Sequence, residues 1–125
     1  MASILIVDDS LDSRAFCGLI VEMHNISVEQ AKDVDEAFEI LATGFKPDVV
    51  LIDLIMPGRR PEELVKRIKD DCSLAGTKVV VMSALPEVKA RALKMGADTS
   101  VHKPFTMPKF VDALGLHSLS SAAIA

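Results

Sequence analysis

Val49 Val50 Leu51 Ile52 Asp53 is a run of four apolar residues stopped by an acid, and its reading decides the fold. A strand with one wet face alternates apolar and polar side chains, whereas an unbroken apolar run marks a strand covered on both faces, the habit of parallel sheets. The pattern recurs upstream as Ile4 Leu5 Ile6 Val7, stopped by Asp8 and Asp9, and downstream as Val79 Val80 Val81 Met82, stopped by Ser83. These three runs predict the central strands. Shorter stretches from Ile26 to Glu29 and from Thr99 to His102 are more polar, as sheet edges often are.

Helical patterns fill the gaps between the strands. Ser10 is placed to cap a helix in which Leu11, Ala15, Leu19, Ile20 and Met23 recur at helical spacing, ending near His24 and Asn25. These residues are the expected buried face. A second helix is predicted from about Asp35 to Thr43, burying Ala37, Ile40 and Leu41, with Gly44 closing it. Pro61 opens a third that carries Leu64, Val65 and Ile68 inward, and Pro86 opens a fourth, through Ala90, Leu93 and Lys94, which Gly96 ends. A last short helix runs from about Met107 to Leu114. The Ser- and Ala-rich remainder, 115–125, is expected to fray, as a tail or the start of a linker.

Strands and helices alternating in this way imply a (βα)5 three-layer α/β sandwich, with a five-stranded parallel sheet and right-handed crossovers. The 125 residues fit one domain, with its core at about 3–114. No apolar run approaches the length of about 20 residues that a membrane span requires. The first residues enter a strand with no basic segment or cleavage site before it, so a cytoplasmic location is expected. Cys17 and Cys72 stand far apart in unrelated contexts and suggest packing rather than a disulfide or metal knuckle. A net charge of −4 without a basic cluster argues against nucleic-acid binding, leaving protein as the expected partner.

Ligands of such sheets bind beyond the carboxyl ends of the strands. That edge gathers Asp8, Asp9, Asp53, Ser83 and Lys103, each of which has a plainer reading when taken alone. The acid pair suits a helix start, Asp53 a turn, Ser83 a cap and Lys103 a solvated surface. Together they say more, because converging carboxylates repel one another unless something positive sits among them. A hard divalent ion such as Mg2+ prefers oxygen ligands and is commonly held by one or two carboxylates plus phosphate oxygens. An Asp carboxylate can also act as a nucleophile toward phosphorus, with Lys103 and Ser83 as candidate partners of the phosphoryl oxygens.

The acid pair in Val7 Asp8 Asp9 Ser10, the run Leu51 Ile52 Asp53 Leu54 Ile55 Met56 Pro57 Gly58, Val81 Met82 Ser83 Ala84, Gly96 Ala97 and Lys103 Pro104 Phe105 together resemble a response-regulator receiver domain. The resemblance covers about Ser3 to Leu114. It implies a flavodoxin-like fold with strand order 2-1-3-4-5, an order carried over from the family rather than deduced. It also implies phosphorylation of Asp53 by a histidine kinase or a histidine-phosphotransfer protein. Mg2+ or Mn2+ would be ligated by Asp9 and Asp53 directly, by Asp8 through water, and by the backbone carbonyl of Ile55. The Lys103 to Pro104 bond would be cis.

Three features depart from the family pattern. Ser100 stands where receivers usually carry an aromatic residue, so a phosphorylation signal is expected to travel by backbone shifts from Ser83 to Pro86 instead. Ile55 and Leu85 are apolar where hydrolysis of the acyl phosphate is commonly governed, which predicts a long-lived phosphorylated state. Arg59 and Arg60 replace a second glycine and read as two solvated arginines ahead of a partner-specific basic bump. His102, beside Lys103, reads as a solvated strand-edge histidine rather than a ligand or phosphoryl relay.

Other readings of the fold fit less well. The acidic loop after the first strand would repel a flavin phosphate, and neither G-x-G-x-x-G nor G-x-x-x-x-G-K-[ST] is present. Asp8 Asp9 Ser10 also lacks the D-x-D of dehalogenase-type phosphatases, so turnover of an external substrate is not expected. Two alternatives remain beside a stand-alone relay: a receiver belonging to a longer regulator, and an interaction module that is never phosphorylated.

Overall fold

The computed structural model describes residues 2–124. Five strands, β1 (Ser3–Val7), β2 (Ser27–Ala31), β3 (Val49–Asp53), β4 (Lys78–Ser83) and β5 (Thr99–His102), form one sheet in the order β2-β1-β3-β4-β5. Every pairing is parallel. The three unbroken apolar runs occupy the centre, and the two polar strands the edges, as their sequences require.

Alternation along the central strands divides the core into two layers. Leu5, Val7, Val50, Ile52, Val79 and Val81 face α2 (Val34–Ala42), α3 (Pro61–Asp70) and α4 (Val88–Met95). Ile4, Ile6, Val49, Leu51, Val80 and Met82 face α1 (Leu11–Glu22), α5 (Met107–Leu114) and α6 (Leu116–Ile124). Both faces are therefore dry, which is why the strands show no polar alternation. A 3₁₀ turn at Cys72–Leu74 connects α3 to β4. Among the described residues no helix is long and apolar enough to cross a membrane.

Local signals set the element ends. Ser10 Oγ accepts the Ser13 N–H at 3.2 Å and caps α1, and Asp33 Oδ1 accepts the Glu36 N–H at 2.8 Å and caps α2. Gly96, at φ 84°, ends α4 in the left-handed region that an L side chain enters only with strain. The Lys103–Pro104 bond is cis.

Four expectations need correction. In α1 the buried residues are Cys17, Gly18, Ile20 and Val21, while Leu11 and Met23 are 68% and 64% exposed and Leu19 also faces outward. Apolar residues surround most of this helix, so spacing alone does not select a face. Close approach does: a Cβ on Gly18 would lie 3.2 Å from the Gln30 side chain on β2. The fourth helix, α4, begins at Val88 after a turn containing Pro86 rather than at Pro86 itself. Of the segment expected to fray, Leu116–Ile124 forms α6, anchored by the fully buried Leu116, and Ala125 lies outside the described residues. Cys17 is a packing residue as expected, but Cys72 is exposed.

Arg59 and Arg60 are not simply solvated. The Arg59 guanidinium lies 3.9 Å from the centre of the Phe38 ring and pairs with Asp35 and Glu63, while Arg60 pairs with Glu62. Arg59 thereby fastens the loop after β3 to α2.

Candidate functional site

Asp8 is fully buried just past β1 and is held from several sides. Its N–H donates to the Ala31 carbonyl at 3.0 Å, and its own carbonyl accepts from Arg14 Nη1 at 2.6 Å. Its Oδ1 accepts the Ser10 N–H at 2.9 Å, whereas Oδ2 is buried with no hydrogen-bond partner. Arg14, one turn into α1, was not singled out in the sequence; its spacing of six from Asp8 carries no known signature.

Asp53 ends β3 and is also buried. Its Oδ1 accepts the Ile55 N–H at 2.9 Å, and its Oδ2 accepts from Lys103 Nζ at 2.6 Å. The same ammonium lies 3.9 Å from Asp8 Oδ2. One cation thus serves two buried carboxylates from different strand ends. Burial pulls the Lys103 pKa down, but the Asp53 hydrogen bond and the charges of Asp53 and Asp8 outweigh it, so the ammonium stands above the ordinary lysine value. Beneath them, burial and then the Asp8 charge push the Cys17 thiol up to about 11, which makes it an inert packing group.

Ser83, at the end of β4, is buried, and its Oγ accepts the Leu85 N–H at 3.0 Å. The hydroxyl proton takes no part in that bond and is available to an acceptor. The Lys103 N–H donates to the Ser83 carbonyl at 2.9 Å, continuing the ladder between β4 and β5. Topology therefore brings Asp8, Asp53, Ser83 and Lys103 to one end of the sheet, as the sequence predicted. Asp9 is exposed beside them, and among the described residues no three His, Cys, Asp or Glu side chains form a group able to hold an ion. Ile55 is 55% exposed, so it covers Asp53 less than an apolar lid would. His102 is exposed as expected, but its Nε2 lies 3.2 Å from the Ala84 carbonyl oxygen.

A doubly wound parallel sheet with buried acids and a shared lysine beyond its carboxyl edge defines a class of α/β ligand-binding domain. Residues 4–115 match the family model for the response regulator receiver domain, and the chain belongs to that family. It is 31% identical over 114 residues to the phosphate regulon transcriptional regulatory protein PhoB of Pseudomonas aeruginosa, covering 90% of this chain and 49% of that protein. It is 32% identical over 113 residues to the chemotaxis protein CheY of Halobacterium salinarum, covering 89% of this chain and 92% of the other. The chain thus spans about half the length of the first of these relatives.

Among solved structures, chemotaxis protein CheY4 of Vibrio cholerae superposes with a TM-score of 0.80 at 28% identity, covering 92% of this chain and 97% of that one. The response regulator TrrA of Thermotoga maritima, in complex with Mg(2+)-BeF, shares the fold at a TM-score of 0.80 and 22% identity, covering 95% of this chain and 99% of that one. Receiver domains of this family are signalling modules phosphorylated by histidine kinases, not enzymes that turn over a substrate.

Proposed function

We propose that this chain is a phosphorylation-dependent switch or relay that accepts a phosphoryl group on Asp53 from a histidine kinase or histidine-phosphotransfer protein and changes its partner binding in response. The observation that carries this reading is the buried Asp53 carboxylate, oriented by the Ile55 N–H and the Lys103 ammonium. A carboxylate fixed in this way meets the main demand of phosphoryl transfer, which is positioning with charge neutralisation.

In the proposed step an Asp53 oxygen forms a bond to phosphorus as the bond from phosphorus to the donor's imidazole nitrogen breaks. The imidazole leaves with that electron pair and is protonated. Lys103 then has a phosphoryl oxygen to pair with as well as Asp53, and Ser83 has an acceptor for its free hydroxyl proton. The exposed apolar ring of Phe16 on α1 lines a cavity with Ala84, Lys103 and Phe105 at the same edge and suits a protein donor better than a small solute.

The residues fit a hard divalent cation. Asp8 Oδ2 is a buried carboxylate oxygen without a hydrogen-bond partner, a costly arrangement that a cation relieves. Asp53 and the Ile55 carbonyl, Asp8 through water, and Asp9 once its exposed side chain turns inward to join them would hold Mg2+ or Mn2+, which supplies charge neutralisation to the phosphoryl oxygens when bound. The test is incubation with Mg2+ and a small acyl phosphate, read by intact mass. Wild type should gain one phosphoryl group and Asp53→Asn none; equal gain by both would overturn the proposal.

A further inference from the structure

His102 is in register with Ser83 across the pair of strands β4 and β5. Because a carbonyl only accepts, the His102 Nε2 that lies 3.2 Å from Ala84 O carries the proton and donates it. Ala84 sits between Ser83 and Leu85, which are tied by the Leu85 N–H donating to Ser83 Oγ at 3.0 Å. This turn is therefore gripped at two points. Its inner grip is the Ser83 hydroxyl, buried at the strand end, and its outer grip is the His102 ring at the sheet edge. His102 also lines a groove of about 460 Å3 with Pro86, Val88, Lys89, Ser100 and Lys109, between α4 and α5.

The sequence offers no bulky side chain at Ser100 to bridge the interior and this groove, and Ser100 itself is too short to span it. The exposed His102 ring instead reaches the Ala84 carbonyl, and its hydrogen bond is the one that joins the middle of the turn to the edge strand. We propose that His102 is the positioning residue that couples the turn after β4 to the groove: its bond to Ala84 holds the turn in one place, and a shift of that turn is passed to the ring. The coupling rests on the phosphoacceptor reading above. A phosphoryl group on Asp53 offers a charged acceptor to the Ser83 hydroxyl, and any movement of that hydroxyl draws Leu85 and the intervening Ala84 carbonyl with it. The ring must then follow the carbonyl or lose it, and either outcome changes the wall of the groove. A net hydrogen bond of ordinary strength biases two positions of such a turn roughly fivefold.

The test uses the full 15N-labelled chain, with beryllofluoride and Mg2+ as the phosphoryl mimic, read by amide and imidazole NMR shifts. In wild type the probe should shift Asp53, Leu54, Ala84 and the His102 ring, together with the groove amides of Lys89, Ser100 and Lys109. In His102→Ala the response at Asp53, Leu54 and Leu85 should persist while the groove response is lost. In His102→Gln, which retains an N–H donor, the groove response should return in part. A groove response in His102→Ala equal to wild type overturns the proposal, as does an unmoved His102 ring in wild type when Asp53 and Leu54 respond. Silence at Asp53 and Leu54 themselves overturns the phosphoacceptor reading and the coupling with it, so the two failures are distinct.

Discussion

Lys103 Nζ donates to Asp53 Oδ2 across 2.6 Å, joining two strand ends that lie 50 positions apart in the chain. The pair explains how acids gather at this edge without unfolding it, because the ammonium is close to both Asp53 and Asp8. It also places a cation where charge changes hands during phosphoryl transfer.

Replacing Lys103 by Met should slow phosphorylation from a small acyl phosphate by about a hundredfold or more, the order found when one preorganised charge-stabilising donor is removed. Timed intact-mass measurement checks this. Folding linkage has a definite sign. The Lys103 pKa is raised by folding, so its stabilising contribution is fully present below the unfolded lysine value and is lost only as pH rises through the folded one. Thermal unfolding of wild type and Lys103→Met should therefore differ throughout the neutral range and converge only in strong alkali.

Asp8 makes a second prediction because one of its oxygens is buried without a partner. If that oxygen helps to hold a divalent cation, Mg2+ should raise the melting temperature of the wild-type chain, by an amount equivalent to about 2.7 kcal/mol at a hundredfold excess over Kd. Asp8→Asn should lose most of the Mg2+ effect while melting no lower in its absence, since the amide removes a buried charge. A Mg2+ shift that is the same in both proteins would exclude Asp8 from the site.

The lifetime of the acyl phosphate follows from Ile55 and Leu85. Neither side chain can orient or deprotonate a water. Exposure of Ile55 means that the slow decay expected here rests on the absence of a polar group more than on exclusion of solvent. Ile55→Asn should hasten loss of the phosphoryl group about tenfold, below the hundredfold floor of full general-base catalysis because an amide only positions water. Decay of the phosphorylated mass after removal of donor gives the rate, and an unchanged rate would show that water reaches the phosphorus by another path.

The parts of the structure legible in the sequence were those where local chemistry leaves one answer. Val49 to Ile52 has no polar position to offer solvent, so it must be a central strand, and Asp53 then falls at the sheet's carboxyl edge. Burial on α1 was not legible, because Leu11, Leu19 and Met23 are as apolar as Ile20 and Val21; the choice between them is made by Gly18, which lets one face approach β2. The grip of Arg14 on the Asp8 carbonyl and of His102 on Ala84 depends on where backbone carbonyls lie in space. Residue type and spacing do not encode that.

Residues 115–125 illustrate how a local signal is overridden. Their Ser and Ala content gives no strong apolar stripe, and a short helix of that kind is marginal in water. Packing supplies what propensity lacks: Leu116 is fully buried in the layer that holds Phe110 and Leu114, and Leu119 lies against the same cluster. Leu116→Ala should destabilise the domain by about 2–4 kcal/mol, in the range for a buried leucine truncated to alanine. A frayed tail would lose almost nothing. Urea unfolding decides between these, and amide exchange adds a second reading, since protection across residues 117–120 should fall in the variant while that of β1 and β3 falls only with the global stability. If Leu116→Ala unfolds at the wild-type midpoint, α6 does not contribute to the core and the expectation of a loose tail was correct.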